Sequence, residues 1–116
     1  MGTIRLKSEL EKKLYDIVYI SHEDLKIKVD KNLKQDRPCI IVKIDKKKEL
    51  YYVLLLTSKK RFDIRQIKIE EQGNYINLTN LYVLSKNIIN YADETDFSLN
   101  NSVIREVKNY INKLNL

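Results

Sequence analysis

The first periodicity along the chain is helical. Leu6, Leu10 and Leu14 recur every four residues with Ile4 beside them and charges between, which predicts a helix over residues 3–14. Ser8 and Glu11 stand at capping-box spacing, so a later start is the other option. The period then changes. Asp16-Ile17-Val18-Tyr19-Ile20 is a short β-branched and aromatic run and predicts a strand. Residues 21–36 are strongly polar, with His22 and four lysines, although Leu25, Ile27 and Val29 alternate. They read as a long connection, with an edge ribbon as one option inside it. Pro38 opens a second strand, where its missing N–H is tolerated, and Cys39-Ile40-Ile41-Val42 is apolar on both faces. A charged turn, Asp45-Lys46-Lys47-Lys48-Glu49, leads into a third strand, Tyr51 to Leu56, that ends at Thr57-Ser58.

Ile67 and Ile69 alternate with Lys68 and Glu70, as in a half-exposed fourth strand. Gln72-Gly73-Asn74 is a turn signal, and Tyr75 to Leu78 and Leu81 to Leu84 are further short strands. Val103, Ile104, Val107, Ile111 and Leu114 then share one helical face, with Ser98 as N-cap. Short strands followed by one amphipathic helix predict an α+β fold, a small antiparallel barrel with a helix packed on it. The expected organisation is one domain over 1–116, without repeats or linkers: an N-terminal helix to residue 14, strands over 15–84 and a C-terminal helix over 98–115.

Composition sharpens this picture by exclusion. A chain of 116 residues can bury a core, and its 43% hydrophobic content, spread evenly, is too high for a disordered tail. One Cys, Cys39, excludes a disulfide framework and a multi-cysteine metal site. No apolar run approaches the roughly 18–20 residues that span a bilayer, and the N-terminus lacks the pattern of a signal peptide or a myristoylation site. The expectation is a soluble cytoplasmic protein with no membrane partner. The net charge is +6, but Lys (17), Ile (15) and Asn (11) supply 43 of 116 residues, a bias typical of AT-rich coding. The position of the charge therefore matters more than its total.

The chemistry that the chain lacks is as informative. Its two glycines are 71 positions apart, so there is no phosphate-cradling loop. A lone His22 and a lone Cys39 make no metal cluster, no Gly-x-Ser-x-Gly elbow exists, and Cys39 in an apolar strand reads as an inert thiol. His22 in a polar stretch reads as a solvated side chain before a catalytic base. No metal or cofactor is expected.

What remains is Thr57-Ser58-Lys59-Lys60-Arg61 at the end of an apolar strand. Two hydroxyls and three cations suit a phosphodiester: the cations neutralise it and the hydroxyls orient it. Taken alone, the run also reads as a solvated turn. Arg37 changes that. In an antiparallel hairpin through the 45–49 turn, the start of one strand lies beside the end of the other, which brings Arg37 next to Thr57-Ser58. Its planar fork can hold two phosphate oxygens at once, as a lysine cannot.

The order of these pieces resembles the MazF/PemK toxins. The resemblance is carried by Asp16 to Ile20, a polar loop, Arg37-Pro38-Cys39-Ile40-Ile41-Val42, and Val53-Leu54-Leu55-Leu56-Thr57-Ser58-Lys59. The run Ile76-Asn77-Leu78-Thr79-Asn80-Leu81-Tyr82-Val83-Leu84-Ser85-Lys86 resembles that family's later strand pair, and helix 99–114 its C-terminal helix. It covers about residues 15–116, and helix 3–14 is an addition. The chain departs from the family pattern in lacking a Gly between Ile20 and Arg37, in carrying Thr79-Asn80 where many members have Asp-Gln, and in its long lysine-rich 21–36 loop.

The resemblance implies an SH3-like barrel that forms a homodimer and cleaves single-stranded RNA without a metal. It also implies an antitoxin partner, a protein, or an RNA as in the related toxins whose Thr-Ser-x-Lys-like feature Thr57-Ser58-Lys59-Lys60 approaches. The family's Arg-Pro arginine falls on Arg37 and its hydroxyl pair on Thr57 and Ser58, the catalytic candidates. His22, Lys59, Lys60 and Arg61 are the RNA-binding candidates, with His22 the one ready proton acceptor near neutral pH if its loop folds inward. Tyr19 and Tyr82 are candidates for base stacking, with core packing as the other job for each. Two further classes stay open: a catalytically silent barrel that binds nucleic acid or protein, and a phage or mobile-element regulator whose basic face blocks a nucleic-acid groove.

Overall fold

The computed structural model describes residues 11–26, 36–70, 73–95 and 98–116. Their elements follow the order β1 (Ile17–Ile20), α1 (His22–Leu25), β2 (Arg37–Asp45), β3 (Leu50–Thr57), β4 (Gln66–Ile69), β5 (Asn74–Ser85), α2 (Lys86–Asn90), β6 (Asp93–Glu94) and α3 (Asn101–Leu114). The six strands form one antiparallel sheet in the order β4-β5-β3-β2-β1-β6. β4 and β6 are its two edges and do not pair with each other, so the sheet is open. The α+β class and the antiparallel pairing match the sequence reading; closure into a barrel is not seen.

The central strands are apolar on both faces because both faces are covered. On one, Ile40 and Val42 of β2 and Leu54 and Leu56 of β3 pack with Val103, Val107 and Ile111 of α3. On the other, Cys39, Ile41, Val53 and Leu55 pack with Leu25 of α1 and Ile89 of α2. Helix α3 starts at Asn100, whose Oδ1 accepts from Val103 N–H at 3.0 Å, two residues beyond the predicted Ser98 cap. A 14-residue helix is marginal alone in water. Burying three aliphatic side chains, each about 1.5–3 kcal/mol, is what holds it. Tyr110 adds a tether, its hydroxyl donating to Leu78 O at 2.5 Å.

Two irregularities shape the sheet. Between the pairs Ile41↔Val53 and Lys43↔Tyr52, β2 carries one extra residue. Val42 and Lys43 therefore share the α3 face, where the Lys43 ammonium lies 5.7 Å from the Tyr52 ring centroid. Between Leu54↔Leu81 and Leu56↔Ile76, four residues of β5 stand against one of β3. The two short strands expected over 75–78 and 81–84 are thus one irregular 12-residue strand whose first half also serves β4.

The predicted helix over 3–14 falls mostly outside the described residues. Residues 11–14 are not helical and end in a turn where Tyr15 takes φ 71°. The 21–36 connection contains a short helix, α1, capped by Ser21 Oγ accepting from Asp24 N–H at 3.0 Å; residues 27–35, including the alternating Ile27 and Val29, lie outside the described residues. Among the described residues, no helix is long and apolar enough to cross a membrane.

Candidate functional site

The start of β2 and the end of β3 meet at one end of the sheet, and the ladder shows how. Ile41 directs its carbonyl and amide at the segment that leads into β1, accepting from Tyr15 N–H at 2.7 Å and donating to Asp16 O at 2.9 Å. Alternation then turns the backbone of Ile40 and Pro38 toward β3: Ile40 pairs with Leu54, and the same register carried two residues on sets Pro38 opposite Leu56. Pro38 has no N–H to offer, which leaves the Leu56 carbonyl without its ladder donor. The Arg37 guanidinium takes that place, Nη2 donating to Leu56 O at 3.3 Å. The Arg-Pro dipeptide is thereby self-consistent: the proline orphans an acceptor and the preceding arginine caps it. Among the described residues one of its five guanidinium N–H groups is used, and Arg37 stays half-exposed at the mouth.

Thr57, the last residue of β3, is half-buried, and its Oγ1 accepts from Lys59 N–H at 3.3 Å. This turns the chain out of the sheet and leaves the hydroxyl proton available to an outside acceptor. Ser58, Lys59, Lys60 and Arg61 follow, all exposed. The structure therefore brings Arg37, Thr57 and Ser58 to one end of the sheet with the three cations beside them. Arg61 is engaged by its own loop, however: Nε donates to Asp63 Oδ1 at 3.0 Å and Nη2 to Asp63 Oδ2 at 2.5 Å. Those hydrogen bonds hold the Asp63 carboxyl below its ordinary range. Water screens an exposed pair of this kind and leaves it weak, so a phosphate can compete for the fork.

His22 is placed differently from its expectation. It is 8% exposed on α1, and both ring nitrogens are buried without a hydrogen-bond partner among the described residues. In this conformation its imidazole faces packing, not the mouth. The reason is local: the Ser21 cap folds residues 22–25 into a helical turn that presses His22 and Leu25 inward. Of the two tyrosines offered for stacking, Tyr19 is 41% exposed on β1 and Tyr82 packs against the α1/α2-face core. Cys39 is fully buried, and burial pushes its thiol up to about 12, with the nearby Arg37 charge opposing the shift. Among the described residues, no group of three His, Cys, Asp or Glu side chains is placed to hold a metal ion.

Two residues of this region escape a sequence reading. Gln66, first in β4, ties the loop to the sheet: Oε1 accepts from Arg61 N–H at 2.9 Å, and Nε2 donates to Lys59 O at 3.1 Å and to Asn77 Oδ1 of β5 at 2.7 Å. Nothing in a lone Gln beside a strand signals this. Phe62 is 91% exposed, and the Lys60 ammonium lies 5.2 Å from its ring centroid. Its signal was present, a large aromatic inside a cationic run with no strand alternation around it. Models of known protein families and curated proteins were compared with the chain, and neither gives a match.

Proposed function

We propose that the protein is a metal-independent endoribonuclease of the MazF/PemK type, acting on single-stranded RNA at the mouth formed by Arg37, Thr57 and Ser58. The observation that carries this reading is the Arg37 guanidinium held at Leu56 O, one residue from the Thr57-Ser58 hydroxyls, with Lys59 and Lys60 on the following loop. The 2′-oxygen bonds to the adjacent phosphorus as its proton passes to water, and the bond from phosphorus to the 5′-oxygen breaks as that oxygen takes a proton from water, giving a 2′,3′-cyclic phosphate and a 5′-hydroxyl. The protein's task is to orient the phosphate and stabilise the charge that builds on the phosphorane. Arg37 clamps two of its oxygens and lies nearest the leaving oxygen, the Thr57 and Ser58 hydroxyls position it, and Lys59 and Lys60 neutralise it. The open sheet serves in this reading as a variant of the family's barrel, and a homodimer and an antitoxin partner belong to the same proposal.

A second reading has its own observation. With the His22 ring nitrogens buried, no imidazole stands at the mouth, which favours a catalytically silent module that binds single-stranded RNA. One experiment separates the two: incubation of single-stranded RNA with the protein in EDTA, with analysis of the ends. Cyclic-phosphate and 5′-hydroxyl ends are the expected result. RNA that is bound and stays intact leaves the binding module.

A further inference from the structure

We propose that Phe62 is a stacking platform for an unpaired nucleobase of the strand held at the mouth. The inference rests on the reading of the mouth as an RNA site, but not on cleavage. A phenyl ring 91% exposed is an apolar surface without cover, and here it does not hang on a slack loop. Gln66 pins the backbone that leads into it, at Lys59 O and at Arg61 N–H, Thr57 Oγ1 pins Lys59 N–H, and the Arg61 side chain reaches across it to Asp63. The ring is thus displayed in advance, which lowers the ordering cost of any ligand that covers it. Lys60 approaches the ring to 5.2 Å, yet the exposure shows how much of it remains open.

The surroundings choose the ligand. Residues 57–66 hold Lys59, Lys60, Arg61 and Arg65 against Asp63, a net +3 and half the charge of the whole chain. A second copy of the same loop would bring +3 against +3. An apolar partner would strip water from the cations and offer them nothing. A single-stranded nucleic acid satisfies both demands, since its phosphates answer the cations and its splayed bases offer flat faces to the ring. Duplex bases are already stacked and do not reach a side-on phenyl ring.

The chain contains no Trp, so Phe62→Trp places a single Trp at the platform, which can be excited apart from the eight tyrosines. The probe is a single-stranded 2′-O-methyl octanucleotide of mixed sequence, which offers no 2′-hydroxyl nucleophile. Saturable quenching of the Phe62→Trp emission is expected. Phe62→Ala should bind the same probe about five- to hundredfold more weakly by anisotropy, the range that base–aromatic stacking supplies. Its salt dependence should stay unchanged, because the phosphate contacts remain. Probe that binds without quenching, Phe62→Ala that binds like the parent, or no binding at all overturns the proposal. So does a Phe62→Ala protein whose only change is a smaller oligomer by light scattering, which makes the ring a contact between copies. Quenching without RNA cleavage sinks the nuclease and keeps the platform; cleavage unaffected by Phe62→Ala does the reverse.

Discussion

The β2–β3 hairpin carries a cluster of cations at each of its ends, and the two clusters are built differently. At the turn, Lys46, Lys47 and Lys48 are exposed between Asp45 and Glu49, so five residues hold a net +1. The hydrogen bonds there serve the turn itself: Asp45 Oδ1 accepts from Lys48 N–H at 3.1 Å, and Glu49 O, on a residue with φ 54°, accepts from Lys86 N–H at 2.9 Å. At the mouth, cations stand with a half-exposed arginine fork, two hydroxyls and an uncovered phenyl ring, and Gln66 fixes the loop that carries them. Each end has three cations in five residues, 45–49 and 57–61, but donor variety and preorganisation differ. A site is marked by different chemistries held in one place by a scaffold, while like charges on a turn are explained by solvation.

That contrast is broken most sharply at Arg37. Arg37→Lys keeps the charge and loses the two-oxygen clamp, so cleavage in EDTA should fall by about 10²–10³, the usual effect of removing one preorganised electrostatic donor. Circular dichroism and thermal melting should show a folded protein, since the loss at Leu56 O is one partly exposed hydrogen bond, about 0.5–1.5 kcal/mol. A smaller effect is expected from Gln66→Ala, which leaves every proposed RNA contact in place but frees the loop. Its binding of single-stranded RNA should weaken by about tenfold, as ordering of the Lys59–Arg61 segment is then lost on binding. Replacing Lys46, Lys47 and Lys48 together by Ala removes three charges, as many as Lys59 to Arg61 carry. Cleavage should nevertheless change by less than about twofold at 0.15 M salt, where charges this far from the mouth are screened. Equal losses from the two ends would make the comparison one of charge alone.

Much of this was legible in the sequence, for physical reasons. The hairpin was readable because both its strands are apolar runs bounded by a proline and a charged turn, and antiparallel pairing then fixes which ends meet. Helix α3 was readable from the spacing of Val103, Val107 and Ile111. The elements that were missed are those that tertiary contacts define. α1 and α2 have four and five residues and β6 has two, too short for any period to show. His22 was read as solvated because its neighbours Ser21, Glu23 and Asp24 are polar, yet the Ser21 cap turns it inward. Thr57 to Arg61 read as a phosphate site with a solvated turn as the other option, but the order of the 59–66 segment and the display of Phe62 did not show, since the amide that organises the segment comes from the neighbouring strand.

The central claim is that RNA is met at the mouth and not wherever lysines gather. Amide chemical-shift mapping with the uncleavable 2′-O-methyl octanucleotide tests this most directly, because it reports both ends of the hairpin in one titration. Perturbations concentrated at Arg37 and at residues 57–66, with residues 45–49 silent, are the predicted result. Shifts that follow the lysines to both ends alike, or that collect at the 45–49 turn, would contradict it.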